Sequence, residues 1–257
     1  MHPDLPIGVF DSGIGGLSVL RALVAELPHE DFIYYADTAH APYGERGDPY
    51  VIERSHAIVD ELVSVHRVKA LVVACNTATA AAIHLLRERY PQLPIVGVEP
   101  ALKPAAALTR TKRVGVLATQ GTLSSAKFQA LHDSLRHACE FILQPCPGLA
   151  DAIENFDAVA VARLAADYVG KLGRLGTEPG CIDTLVLGCT HYPFAEREIR
   201  AAARDAVTLL ETGAPVARRT RELLHARGLL RASGEGGRTW LTSGRLAQLQ
   251  SAAARWL

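Results

Sequence analysis

Val72-Val73-Ala74-Cys75-Asn76-Thr77 decides how the chain folds, and Val186-Leu187-Gly188-Cys189-Thr190-His191 repeats its pattern. Each is a short apolar run ending in a cysteine, followed by small polar residues and then by a helical period. Such a run reads as a strand covered on both faces. In an open α/β sheet, ligands bind just beyond the carboxyl ends of the strands. A thiol placed there stands at the mouth of a helix, whose unpaired N–H groups favour the thiolate. Two such thiols, one in each half of the chain, point to a shared cleft.

Outward from these stretches, strand and helix alternate. Strand patterns fall at 7–10, 31–36, 70–74, 95–98, 113–118, 140–143, 184–188 and 207–210. Helical patterns fall between them at 17–26, 51–65, 78–90, 101–108, 123–135, 157–172, 195–206 and 216–226. The alternation argues for the α/β class, with parallel sheets and right-handed crossovers. Residues 230–238, rich in Gly and Ser, read as a loop, and the tail beyond them has no decisive period. Ile7-Gly8-Val9-Phe10-Asp11-Ser12-Gly13 is echoed by Val114-Gly115-Val116-Leu117-Ala118-Thr119-Gln120-Gly121, each a strand, then a hydroxyl residue, glycine and a helix. The cysteines follow these openings at similar distances, from 11 to 75 and from 119 to 189. The expectation is two pseudo-symmetric lobes, 1–98 plus about 207–257 and 99–206. Each lobe is a mostly parallel sheet flanked by helices, with the active site in the cleft between them.

The 27 Lys+Arg balance the 27 Asp+Glu, so no net field recruits nucleic acid or an anionic membrane. Apolar residues at 49% with only 6% aromatics fit an aliphatic globular core. The opening His2-Pro3-Asp4-Leu5-Pro6 does not read as a signal peptide, and no run reaches the ~18 apolar residues of a membrane span. A cytoplasmic enzyme is expected. The five cysteines (75, 139, 146, 181 and 189) are odd in number and form no C-x-x-C pair. Neither a disulfide framework nor a metal site is indicated. Cys139, Cys146 and Cys181 lack the strand–cysteine–helix context and read as structural or incidental.

Asp11-Ser12-Gly13-Ile14-Gly15-Gly16 is a Gly-rich turn between strand and helix. It is neither the dinucleotide fingerprint, whose last glycine is missing, nor a P-loop, which needs Gly-Lys-Ser/Thr. Its glycines let backbone N–H groups approach an anion such as a carboxylate, and Ser12 adds a hydroxyl. Asp11 has several open readings: a proton carrier, an anchor for a substrate ammonium, a partner of a thiol, or a helix cap. Ala41-Pro42-Tyr43-Gly44 reads first as an ordinary turn at a strand end. Asn76, Thr77, Thr119, Thr122 and Thr190 fall at strand-to-helix junctions, where each singly reads as an N-cap. Around one cleft they would form a polar ring suited to a small, multiply hydrogen-bonded molecule. His191, two residues beyond Cys189, is placed to exchange a proton with it. Glu154 has no local signature. A cysteine hydrolase needs one thiol, and a redox pair normally uses C-x-x-C. Cofactor-free racemisation uses both thiols: one removes a proton from a carbon, and its counterpart returns one to the opposite face.

Val9-Phe10-Asp11-Ser12-Gly13-Ile14-Gly15-Gly16, Tyr34-Tyr35-Ala36-Asp37, Pro42-Tyr43-Gly44, Ala74-Cys75-Asn76-Thr77-Ala78-Thr79, Val98-Glu99-Pro100 and Leu187-Gly188-Cys189-Thr190-His191-Tyr192-Pro193 together resemble the glutamate racemases. The likeness runs from about residue 7 to 220. It implies interconversion of L- and D-glutamate without a cofactor, supplying D-glutamate for peptidoglycan, by a two-lobed enzyme that forms a homodimer. By matching motif, Cys75 would deprotonate D-glutamate with Asp11 assisting, and Cys189 would deprotonate L-glutamate with His191 assisting. Glu154 gains a role only through this likeness, as an acidic partner near His191. Ser12, Tyr43, Gly44, Asn76, Thr77, Thr119, Thr122 and Thr190, with Asp11 and His191, would bind the substrate. Where the family usually shows Asp-Ser ahead of its late helix, this chain has Glu211-Thr212-Gly213. The alternatives are a related racemase acting on aspartate and an amino-acid-binding protein without catalysis.

Overall fold

The structure is a computed structural model that describes residues 2–204 and 207–257. In chain order the first elements are β1 (Ile7–Asp11), α1 (Leu17–Glu26), β2 (Phe32–Ala36), α2 (Asp48–Ser64), β3 (Ala70–Val73), α3 (Asn76–Arg89) and β4 (Ile95–Gly97). There follow α4 (Leu102–Leu108), β5 (Arg113–Ala118), α5 (Gln120–Ser124), α6 (Ala126–Leu135), β6 (Glu140–Pro145), α7 (Leu149–Glu154), α8 (Ala158–Lys171) and β7 (Thr184–Leu187). The chain ends with α9 (Glu196–Ala203), β8 (Thr208–Leu210), α10 (Gly213–Ala226), β9 (Arg238–Thr242) and α11 (Leu246–Trp256). Contacts divide it into two compact units, Met1–Val98 with Gly213–Leu257 and Glu99–Thr212.

Among the described residues the first unit holds a five-stranded sheet in the order β4-β3-β1-β2-β9, and the second a four-stranded sheet in the order β6-β5-β7-β8. Every named pairing is parallel. Written from its cysteine side, the second order is β8-β7-β5-β6, which repeats β4-β3-β1-β2. The sequence echo is therefore an echo of topology. Strands β1, β2, β3 and β7 are buried at every position, which is why they read as unbroken apolar runs instead of alternating ones. In the first unit Phe10, Ile33, Val51, Ile58, Leu62, Leu71 and Val73 close one core between the sheet and its helices. In the second, Leu102, Val114, Val116, Phe128, Phe141 and Val186 do the same.

Several elements differ from what the sequence implies. The helix expected over 123–135 is two, because Ser125 breaks it in an extended conformation and caps α6 by accepting from Phe128 N at 3.2 Å. The helix expected at 195–206 opens as a 3-10 turn, Tyr192–Ala195, and then becomes α9. Its expected last residues, 205 and 206, lie outside the described residues. The short helix α7 falls where the sequence shows no helical period. The tail is ordered: β9 pairs in register with β2, from Phe32 opposite Arg238 to Ala36 opposite Thr242, and α11 follows. β8 pairs with β7, so the chain crosses back to the first unit at Gly213, not at about 207.

A buried charge cluster anchors the amino-terminal edge of the first sheet. Lys69, fully buried, donates to Glu30 and to the Pro3 carbonyl. The other Glu30 oxygen accepts from Arg231 N at 2.9 Å. Charges so deeply buried persist only when paired and hydrogen-bonded.

Candidate functional site

In the first unit Cys75 lies two residues beyond β3 and is itself the N-cap of α3. Its sulfur accepts from Ala78 N at 3.4 Å, the position where serine or threonine oxygen usually sits. Ala74 N donates to the Phe10 carbonyl at 2.8 Å, which holds the cysteine beside the end of β1. There Ser12 Oγ lies 3.8 Å from Cys75 Sγ. Asp11, fully buried, accepts from Gly16 N at 2.8 Å through Oδ2 and so closes the turn at the head of α1. A Cβ on Gly16 would stand 2.7 Å from Asp11 Cβ and 2.8 Å from Tyr34 Oη, a closeness only glycine permits. Tyr34 fastens the same turn by donating to the Gly13 carbonyl at 2.8 Å.

Asn76 and Thr77 open α3, both buried. Neither the amide nitrogen nor the amide oxygen of Asn76 has a hydrogen-bond partner among the described residues. A buried amide left unpaired is costly, and it is the expected state of a group whose partner is a ligand. Tyr43 and Gly44 sit in a 3-10 turn, Tyr43–Glu45. The Tyr43 hydroxyl donates to Asp37 Oδ2 at 2.5 Å. What this turn can offer a ligand is therefore backbone: its opening N–H groups have no acceptor within the turn. Asp37 is fully buried and takes a two-pronged contact from Arg54, at 3.0 Å from Nε and 2.9 Å from Nη2. Burial alone would raise the Asp37 pKa, but the bonds from Arg54 and Tyr43 hold it below the ordinary range. Burial, reinforced by the bond to Asp37, pushes the Tyr43 phenol far up, so it stays a neutral donor.

In the second unit Cys189 also lies two residues beyond its strand, β7, with Gly188 N donating to the Leu117 carbonyl at 2.7 Å. The two cysteines are not equivalent, however. No helix begins at Cys189, which leads into the 3-10 turn, so the helix-mouth effect expected there is replaced by a side chain. His191 Nδ1 is 3.7 Å from Cys189 Sγ, and His191 Nε2 is 2.7 Å from Glu154 Oε2. Burial works to lower the His191 pKa; the contacts with Cys189 and Glu154 outweigh it, and the ring stands well above 6.5. As an imidazolium it donates to the carboxylate on one side and to the sulfur on the other. Thr190, between these two residues in the chain, is buried. Thr119 caps α5, accepting from Thr122 N at 3.2 Å and donating to Thr122 Oγ1 at 3.0 Å. These threonines follow β5, the neighbour of β7, at the same end of the sheet.

None of the five cysteines is held in a disulfide. Cys146 donates to the Gln144 carbonyl at 3.3 Å, and burial pushes it up to about 12, which makes it inert at neutral pH. Among the described residues no three His, Cys, Asp or Glu side chains are grouped as a metal centre requires. No described helix is long and apolar enough to cross a membrane. Sequence reasoning missed Asp37 and Arg54 as parts of the site. The available signals, both for Asp37, were an aspartate directly after a buried strand, close to the strand-end position that Asp11 occupies, and its place in the Tyr34-Tyr35-Ala36-Asp37 motif.

A family model described as Asp/Glu/Hydantoin racemase matches residues 7–220. The glutamate racemase of Ectopseudomonas mendocina (strain ymp) is 50% identical over 248 residues, 96% of this chain and 92% of the relative. The crystal structure of glutamate racemase isoform RacE1 from Bacillus anthracis superposes with a TM-score of 0.86 at 32% identity, covering 99% of this chain and 94% of that one. Escherichia coli glutamate racemase, solved in complex with L-glutamate and the activator UDP-MurNAc-ala, gives 0.83 at 32% identity over 98% and 95% of the two chains. With the motifs at both strand ends, the shared two-sheet fold and half its residues identical to a glutamate racemase, the chain belongs to the Asp/Glu/hydantoin racemase family.

Proposed function

We propose that this protein interconverts L- and D-glutamate by two-base proton transfer at Cα, using Cys75 and Cys189. The observation that carries the reading is the pair of thiols, each beyond the carboxyl end of the strand beside its sheet's opening strand, each in its own hydrogen-bonded setting. In one direction Cys189 acts as thiolate beside protonated His191 and removes the Cα proton of L-glutamate. The electron pair of the broken C–H bond passes into the α-carboxylate, and the Cys75 thiol returns a proton to the opposite face. D-glutamate leaves with Cys75 as thiolate and Cys189 as thiol, so the reverse reaction runs with the roles exchanged. Asp11 and Ser12 serve Cys75; His191 and Glu154 serve Cys189. The helix N-terminus at Ala78 N and the His191 imidazolium supply the two thiolate stabilisers. Ser12, Asn76, Thr77, the Tyr43–Gly44 turn, Thr119, Thr122 and Thr190 hold the carboxylates and the ammonium. Glutamate as substrate is supported by the relatives named above. We further infer a cytoplasmic homodimer that supplies D-glutamate for peptidoglycan.

The test is proton exchange in deuterated water. The protein incubated with L-glutamate should incorporate deuterium at Cα while optical rotation decays to zero. Cys75→Ala and Cys189→Ala should each lose at least about 10³-fold in turnover with the fold retained, since each removes an acid–base group outright. Exchange with aspartate alone, or with neither amino acid, overturns the reading, and so does a single-cysteine variant that racemises at the wild-type rate.

A further inference from the structure

At the end of β9, Thr242-Ser243-Gly244 lies against the turn that leads from β2 to Tyr43. Ser243 N donates to the Ala36 carbonyl at 3.2 Å, and Ser243 Oγ accepts from Ala39 N at 3.2 Å. These two bonds grip the chain on either side of Asp37. Thr242 Oγ1 and Thr38 Oγ1 are 3.0 Å apart, and Gly244 N donates back to Thr242 Oγ1 at 3.0 Å. The approach is close: a Cβ on Gly244 would stand 2.2 Å from Thr38 Oγ1 and 3.3 Å from Thr38 Cβ. Asp37 is the hub of this arrangement. Its N–H donates to the Asp11 carbonyl at 3.0 Å, its carbonyl accepts from His40 N at 2.9 Å, and its carboxylate receives Tyr43 and Arg54 while contacting His40 Nδ1 at 2.9 Å.

We infer that the carboxy-terminal turn at Ser243 is a positioning device for the substrate turn: by holding the loop on both sides of Asp37, it sets where the Tyr43–Gly44 N–H groups stand relative to Cys75. The inference rests on the glutamate reading above and adds Ser243 and Asp37 to the residues that reaction depends on. Neither is a catalytic residue. Their bonds explain why a strand added at the edge of the sheet, far from β3, ends beside the loop that begins at Asp37. Deleting the Ser243 hydroxyl takes this acceptor from the Ala39 N–H and loosens the loop two residues from Asp37.

Steady-state kinetics of the whole chain with both enantiomers, beside wild type, tests this through Ser243→Ala and Ser243→Thr. The alanine variant should raise KM for glutamate about three- to tenfold while kcat stays within about twofold, because placement is loosened and the acid–base groups are untouched. The equilibrium constant between enantiomers is one, so kcat/KM must fall equally in both directions. Threonine keeps the hydroxyl and should restore the wild-type KM. Circular dichroism of the alanine variant should match wild type. If wild type turns over glutamate but the alanine variant keeps its KM, the inference fails while the functional reading stands. It fails in the same way if KM rises but threonine does not restore it, or if lost activity tracks lost ellipticity. A wild-type chain with no glutamate turnover removes the functional reading and this inference with it.

Discussion

His191 is held between a sulfur and a carboxylate, nearly sealed from solvent, and in the proposed reaction its protonation state sets what Cys189 can do. Burial by itself would strip the proton from the ring, whereas Cys189 and Glu154 keep it on. The sign for stability follows. A folded pKa raised above the unfolded value contributes stability that is fully present below about 6.5 and is lost as pH rises through the raised value. Glu154→Gln removes the nearer negative charge. The ring should then titrate at lower pH, and the alkaline loss of activity should move down with it. Turnover at neutral pH should fall about ten- to hundredfold, less than the ~10²–10⁴ of a group that itself transfers the proton, because Glu154 acts through His191. NMR titration of the histidine rings and a pH–rate profile check this; a His191 midpoint unchanged in the variant rules out Glu154 as the supporting charge. The Cys75 side needs no such carboxylate–imidazole relay, since the first turn of α3 already presents an N–H to its sulfur.

At the scale of elements, both cysteines are placed by strand ends, and what fixes a strand end is its loop chemistry. Asp183, just ahead of β7, shows how. Its carboxylate accepts from Thr109 Oγ1 at 2.6 Å, Arg110 N at 2.7 Å, Thr111 N at 3.0 Å and Thr184 Oγ1 at 2.9 Å. One side chain thus ties the start of β7 to the turn between α4 and β5. Burial would raise its pKa; the four donors hold it below 3.8. A depressed folded pKa contributes stability above the unfolded value and loses it as pH falls through the folded one. Asp183→Asn should lower stability near neutrality by about 1–3 kcal/mol. Urea melts at pH 7 and at pH 3 should show the gap between variant and wild type closing in acid. A gap that stays constant would mean the carboxylate's charge contributes nothing. The helices read well from sequence where the apolar period ran unbroken, as in α1, which spans the expected Leu17–Glu26. They read badly where a break depends on one side-chain bond, as at Ser125 within the 123–135 pattern.

For the molecule as a whole, the Lys69–Glu30 pair joins parts of the first unit that are remote in sequence: Pro3, the lead into β3, the end of the α1–β2 connection and Arg231. Removing one partner of a buried pair leaves an uncompensated charge, which costs about 3–5 kcal/mol. Lys69→Ala should therefore destabilise the protein by about that amount, measured by chemical denaturation, although the pair lies at the opposite end of the sheet from Cys75. If stability changes by less than ~1 kcal/mol, the pair is not the anchor its burial implies. Strand β9, like α7 and α11, is an element no local pattern announced. Residues 233–237, with three glycines, break the period just ahead of it, and a five-residue strand at a sheet edge has little hydrophobic signal of its own.

By itself the sequence determined the α/β class, the alternation of strands and helices and the two cysteines beyond their strands, because these rest on short-range facts: apolar run length, turn residues and cap chemistry. The repeated opening at Asp11 and Thr119 also announced two units of like topology. Only the tertiary structure decided which groups meet. Glu154 reaches His191 across 37 positions, and Ser243 reaches Ala39 across 204. No local pattern marked either pair, and Glu154 was tied to His191 only through the family resemblance, since a hydrogen bond between distant residues exists only once parallel pairing and helix packing have brought their backbones to the same end of a sheet.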